Sequence, residues 1–155
     1  FPSILGAKIG CPDTPVIGFA GDGAFGISMN EMSSCAREEW PAITMVIFRN
    51  YQWGAEKRNT TLWYDNNFIG TELDPNLSYA KVADACGLKG VTVKTMEETT
   101  SAIKQSCEDQ NKGITTFIEV ILNQELGEPF RRDAMKAPVK VAGINKGDMK
   151  PQKLL

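Results

Sequence analysis

The sequence predicts an α/β fold of three layers, α/β/α, with helices on both faces of a mostly parallel sheet. Three observations carry this. Short apolar runs at 15–20, 43–48, 90–94 and 114–122 alternate with stretches of helical spacing, and such alternation implies parallel pairing through right-handed crossovers. The run at 43–48, I-T-M-V-I-F, is apolar with no alternation, as expected of a strand buried on both faces. The run at 15–20 passes through the glycine-rich turn Gly21-Asp22-Gly23-Ala24-Phe25-Gly26 into a helix-like stretch at 27–37.

In chain order, residues 1–8 read as the tail of a helix, and Cys11-Pro12-Asp13-Thr14-Pro15 is a turn whose two prolines exclude regular structure. In the helix at 27–37, Met29, Met32, Cys35 and Ala36 share the inward face, and Trp40-Pro41 closes it. Residues 51–76 are polar, aromatic and unpatterned. They predict a long irregular loop, with Trp53, Trp63, Tyr64 and Phe68 packed over a ligand or against a partner. A short helix follows at 77–86, with Gly87 at its C-terminus, then the strand at 90–94. The helix at 96–111 turns Met96, Thr100, Ile103 and Cys107 inward. Glu119, inside the last strand, is expected to be paired structurally rather than catalytic. Beyond 122 the pattern stops, so residues 1–126 are expected to form one domain and 127–155 an irregular tail.

A length of 155 residues suits one domain with a real core. The net charge of −2 supplies no basic field for nucleic acid or an anionic membrane, and no apolar run approaches the ~20 residues that span a bilayer. The opening Phe1-Pro2-Ser3-Ile4, without an initiating Met, reads as a chain cut from something longer. Four scattered cysteines without a C-x-x-C pair argue against zinc and fit a reducing compartment. The absence of histidine excludes a Ser-His-Asp triad and leaves acid–base work to carboxylates, Lys, Tyr, a cofactor or another chain.

The pattern G-x-G-x-x-G at 21–26, between a strand and a helix, suits a phosphate held at a helix N-terminus, and alone it suggests a dinucleotide site. Asp22 argues otherwise. A carboxylate facing a diphosphate at ~4 Å is repelled by roughly 1 kcal/mol per charge pair in water, and several times more at low dielectric. A divalent cation between them removes the clash. Mg²⁺ is the natural candidate, because it shares carboxylates with substrate phosphates. A second oxygen is available where the next strand ends in Arg49-Asn50-Tyr51-Gln52-Trp53-Gly54: the Asn50 side-chain carbonyl, beside Asp22 at the edge of the sheet. Arg49 suits a 2′-phosphate, so an NADP-binding Rossmann module remains the alternative, distinguished by needing no metal.

G-D-G, then 26 residues, then Asn50 resembles the signature of thiamine diphosphate-dependent enzymes. The resemblance implies a thiamine diphosphate-binding fold in which Mg²⁺ is held by the Asp22 and Asn50 side chains and the Gln52 backbone carbonyl. Gly23 and Ala24 would offer N–H groups to the diphosphate, within a cofactor-binding turn that runs from Gly21 to Phe25. Gly54 matches a glycine that often follows the Asn. The narrower blocks Q-W-G-A-E-K and P-F-R-R-D-A resemble the sulfoacetaldehyde acetyltransferases, a branch of that family, over about residues 1–141. That resemblance implies an enzyme of taurine metabolism in the cytoplasm. It would cleave sulfoacetaldehyde, release sulfite and pass the acetyl group to phosphate, giving acetyl phosphate. The full-length protein would be a homodimer or homotetramer. The glutamate that activates the cofactor would lie on a separate pyrimidine-binding domain, leaving this chain inactive alone. An acetolactate-synthase-like carboligase or decarboxylase is the alternative within the family; a non-catalytic assembly domain is one outside it. Arg131 and Arg132 present adjacent guanidinium groups suited to a phosphate or sulfonate, and are candidate contacts to the substrate anion.

Overall fold

The computed structural model describes residues 1–124, apart from the side chains of Leu62 and Trp63. The helices are α1 (Pro2–Gly10), α2 (Asp22–Gly26), α3 (Met32–Cys35), α4 (Gly54–Trp63), α5 (Tyr79–Ala85) and α6 (Met96–Gln110). The strands are β1 (Ile17–Gly21), β2 (Thr44–Arg49), β3 (Lys89–Val93) and β4 (Thr116–Ile121). Two compact units are formed. The first comprises residues 1–52 and 73–124 and contains the sheet; the second takes in 53–72.

All four strands are parallel, in the order β1-β2-β4-β3, as the alternation of runs requires. Alternate residues of a strand serve opposite faces. Met45 and Ile47 of β2 join Phe117, Leu5, Phe25, Met32, Cys35, Tyr79 and Ala83 in one apolar cluster. Val46 joins Ile118, Val120 and Val93 in another, against Ala102 and Ile103 of α6. Helices on both faces make the three layers. Burial pushes the Cys35 thiol up to about 12, which suits its place in the first cluster. The face bearing Val46 is less completely covered at β1. Phe19 is 60% exposed and Phe48 39% exposed, and their rings stack at 6.1 Å.

Local chemistry fixes α5. The Ser78 hydroxyl accepts the Lys81 N–H at its N-terminus. Gly87, at φ +79, reverses the chain so that the Leu88 N–H reaches the Ala83 carbonyl at 3.0 Å. The helix lies so close to β3 that a Cβ on Gly90 would stand 2.0 Å from the Ala80 backbone oxygen. Gly90→Ala must therefore move α5 off the sheet. It is expected to cost about 1–3 kcal/mol, read as a fall in the urea midpoint with an unchanged slope.

Helix α6 starts with a reciprocal capping box between Thr95 and Glu98. Its inward face departs from the expectation: Met96 is 76% exposed and Thr100 is exposed, whereas Ser106, Asp109 and Gln110 are buried. The reason is polar. The Gln110 side chain donates to the Val16 carbonyl (3.0 Å) and the Thr44 hydroxyl (2.8 Å) and accepts the Val16 N–H (3.0 Å), so hydrogen bonds set the docking angle of that end. Asp109 accepts from Lys89, and that bond holds its carboxyl below the usual range. A carboxyl depressed in the fold stabilises above its unfolded pKa and loses this contribution as pH falls through the folded value. Asp109→Asn is therefore expected to lower the urea midpoint at pH 6 and to make progressively less difference as pH falls through the folded value.

Two expected elements differ. The helix expected at 27–37 begins earlier, at Asp22, and is broken: Ile27 is 87% exposed, Ser28 leaves the helical region, and one 3₁₀ turn (Met29–Glu31) precedes α3. Met32 and Cys35 are buried as expected, while Ala36 is exposed. The irregular loop expected at 51–76 contains α4. The sequence of α4, GAEKRNTTLW, has no apolar stripe, so periodicity could not reveal it. Within the second unit the Trp53 N–H donates to the Thr71 carbonyl (2.8 Å). Lys57 pairs with Glu72 and stands 5.3 Å from the Phe68 ring centre. Among the described residues no helix is long and apolar enough to cross a membrane.

Candidate metal and diphosphate site

The register pairs Gly21 with Phe48, so β1 and β2 end side by side and deliver Asp22 and Asn50 to the same edge. Asp22 is not the helix cap; Gly21 holds that position, and no side-chain cap bond forms. The buried Asp22 carboxylate instead reaches the second strand's loop, where Oδ2 accepts the Tyr51 N–H at 2.8 Å. Its other oxygen, Oδ1, is buried without a hydrogen-bond partner. Burial pushes the Asp22 carboxyl up. The Arg49 guanidinium and the N–H groups of Tyr51, Asn50 and Gln52 oppose this, and burial prevails.

The Asn50–Gln52 loop has an unusual backbone. Tyr51 has φ +60, a left-handed conformation uncommon for any residue but glycine. Its N–H is tied to Asp22 and its carbonyl accepts the Leu73 N–H at 2.9 Å. Asn50 is half-buried. The buried Gln52 side chain donates to the Gln124 carbonyl at 3.0 Å and leaves Oε1 unpartnered; the Gln124 amide returns a bond to the Tyr51 carbonyl at 3.4 Å. A clasp thus joins this loop to the chain leaving β4.

Gly23 and Ala24 lie in the first turn of α2, where helix geometry gives N–H groups no intrahelical acceptor. Phe25 is different: its side chain is fully buried among Phe1, Tyr79 and Phe117, with ring centres 5.1–6.0 Å away, leaving only its backbone for a ligand. Gly54 opens α4 in the second unit. Arg131 and Arg132 lie outside the described residues.

Sequence reasoning missed the group beneath the site. Arg49, considered there as a contact for a 2′-phosphate, has a side chain with no exposed surface and cannot meet such a ligand. Its Nη1 lies 3.7 Å from Asp22 Oδ2 and its Nε 3.4 Å from Glu119 Oε1; Nη2 donates to the Asp74 (2.9 Å) and Leu77 (3.0 Å) carbonyls. The rings of Tyr51 and Tyr79 approach the guanidinium carbon at 4.5 and 4.6 Å. Glu119 also accepts from the Ser78 hydroxyl (2.6 Å) and the Tyr79 N–H (3.1 Å), so it is paired structurally as expected. One signal was available: opposite charges, Arg49 and Glu119, inside neighbouring apolar strands.

An oxygen-seeking cation fits this donor set: a buried carboxylate oxygen without a partner, at the sheet edge where the amide of Asn50 follows the next strand. Among the described residues no three His, Cys, Asp or Glu side chains gather, and the expected ligands include only one such side chain.

Comparison with known proteins places this strand–turn–helix edge in a family. The chain belongs to the thiamine pyrophosphate enzymes, matching their C-terminal TPP-binding domain over residues 1–120. It is 79% identical, over 99% of its length, to a probable sulfoacetaldehyde acetyltransferase of Rhizobium meliloti (strain 1021), covering 26% of that protein. Identity is 65% over 99% of the chain to the sulfoacetaldehyde acetyltransferase of Roseovarius nubinhibens, covering 25% of it. The chain therefore spans about a quarter of the length of these curated relatives. Among solved structures, the thiamine diphosphate-dependent 4-hydroxybenzoylformate decarboxylase of Rhodococcus jostii RHA1 matches with TM-score 0.72 and 27% identity, over 82% of this chain and 23% of that one.

Proposed function

We propose that this chain is the diphosphate- and Mg²⁺-holding domain, residues 1–126 with 127–155 as a following tail, of a thiamine diphosphate-dependent sulfoacetaldehyde acetyltransferase. The observation that carries the cation site is Asp22: one buried oxygen tied to the Tyr51 N–H, the other unpartnered. Asp22 Oδ1, the Asn50 side-chain carbonyl and the Gln52 backbone carbonyl would hold Mg²⁺. The N–H groups of Gly23 and Ala24 would meet the diphosphate.

The substrate assignment rests on similarity along almost the whole chain to proteins named for that activity. When bound, thiamine diphosphate supplies a C2 carbanion that adds to a carbonyl and an electron sink for the bond cleavage that follows. This chain's share is binding and orientation. Asp22 neutralises the cation while Oδ2 stays fixed to the loop, and the first turn of α2 orients the diphosphate. Arg131 and Arg132 are proposed contacts for the sulfonate or the accepting phosphate, within a cytoplasmic homo-oligomer of taurine metabolism.

Calorimetric titration of thiamine diphosphate into the chain tests the cation site: binding is expected with Mg²⁺ and is lost in EDTA. Metal-independent binding, or NADP binding in its place, would overturn the assignment. Acetyl phosphate is not expected from the chain alone, because on the family resemblance the activating glutamate would lie on another domain.

A further inference from the structure

We infer that Arg49 is a positioning residue for the Mg²⁺ site, fixing Asp22 and the Tyr51 backbone so that Asp22 Oδ1 remains available to the cation. This rests on the cation site proposed above. Arg49 touches no ligand, since its side chain is entirely enclosed; any influence on binding must pass through its neighbours.

The geometry specifies how. Two backbone carbonyls, of Asp74 and Leu77, hold Nη2 at 2.9 and 3.0 Å, and the Tyr51 and Tyr79 rings stand 4.5 and 4.6 Å from the guanidinium carbon. A planar group held at one end and flanked by rings cannot swing its other nitrogens away. Nη1 therefore remains 3.7 Å from Asp22 Oδ2, too far for a hydrogen bond but close enough for a fixed positive charge to draw that oxygen inward. The Tyr51 N–H binds the same oxygen. The hydrogen bond and the nearest guanidinium nitrogen both meet Oδ2, while Oδ1 has no hydrogen-bond partner, so the carboxylate has one anchored oxygen and one left without a hydrogen bond. The Tyr51 ring over the guanidinium also steadies the left-handed residue between Asn50 and Gln52.

A purely structural Arg49 would contribute to stability alone. A positioning Arg49 separates two quantities: Mg²⁺ affinity at saturating thiamine diphosphate, and cofactor affinity at saturating Mg²⁺. Calorimetry on the unaltered chain, Arg49→Lys, Arg49→Met and Asp109→Asn reads both, with melting temperatures taken alongside. Arg49→Met is expected to raise the Mg²⁺ midpoint by about tenfold or more, the scale seen when groups that orient a metal ligand are removed. Cofactor affinity at saturating Mg²⁺ should change much less. Arg49→Lys, which keeps the charge without the planar fork, should fall between, and it carries the test if Arg49→Met does not fold. Asp109→Asn, destabilised at α6 away from the Arg49 clamp, should leave the Mg²⁺ midpoint unmoved. Mg²⁺ midpoints within twofold of the unaltered chain in the folded Arg49 variants would overturn the inference. Absence of Mg²⁺-dependent binding in the unaltered chain would instead sink the cation site itself.

Discussion

Asp22→Ala is expected to abolish Mg²⁺-dependent binding of thiamine diphosphate, raising the dissociation constant by about 100-fold or more, while the fold survives. Two opposing terms decide the second half. The substitution removes the acceptor for the Tyr51 N–H, at about 1–3 kcal/mol for a buried donor left unsatisfied. It also removes a carboxyl that burial pushes above its ordinary value, one whose charged form the apo fold disfavours. A raised folded pKa means that Asp22 adds stability below the ordinary aspartate range and that this is lost as pH rises through the raised value. At neutral pH without metal, the net change in unfolding free energy should therefore be small. Asp22→Asn, which keeps an acceptor, should be smaller still. A large loss of binding with little loss of urea midpoint is the signature of a residue kept for a ligand rather than for the fold. Parallel losses of both would contradict it.

Glu119→Ala should do the reverse and strike the fold first. Its carboxylate receives the Ser78 hydroxyl, the Tyr79 and Ala80 N–H groups and the Thr92 hydroxyl, and lies 3.4 Å from Arg49 Nε. Removal leaves the first turn of α5 without its acceptor and half-strips a buried cation, a change that costs about 3–5 kcal/mol. Against the 5–15 kcal/mol typical of a whole domain this is severe, and the melting temperature should fall accordingly. Glu119→Gln retains the shape but turns an amide N–H₂ toward groups that are already donors, so an intermediate loss is expected. A change under about 1 kcal/mol for the alanine variant would show the carboxylate to be dispensable.

These two residues also mark how far the sequence could be read. The strand at 43–48, the glycine turn and the 26-residue interval to Asn50 brought Asp22 and Asn50 to one sheet edge, where the register of β1 and β2 has them, because period, turn chemistry and spacing are local properties. Gly87 and the four-strand parallel sheet were legible for the same reason. Arg49 was not. Its environment is assembled from the start of α2, β4 and the segment before α5, and no local pattern reports that an arginine at a strand end is enclosed by them. The face of α6 was misjudged because hydrophobic counting overlooks a buried Gln110 whose hydrogen bonds are satisfied. Helix α4 escaped notice because it has no apolar stripe to count.

The clasp between Gln52 and Gln124 bears on how titrations of this site are to be interpreted. Both of its bonds run between uncharged amides and backbone carbonyls, and the guanidinium beneath is wholly enclosed. Counter-ions in bulk water, which screen exposed charges over about 10 Å at 0.1 M ionic strength, have little hold on such contacts. The loop's anchorage should be the same in dilute buffer and in concentrated salt. Any steep ionic-strength dependence of binding then belongs to the encounter with the anionic ligand, and its slope measures charge outside the fold rather than the loosening of the loop.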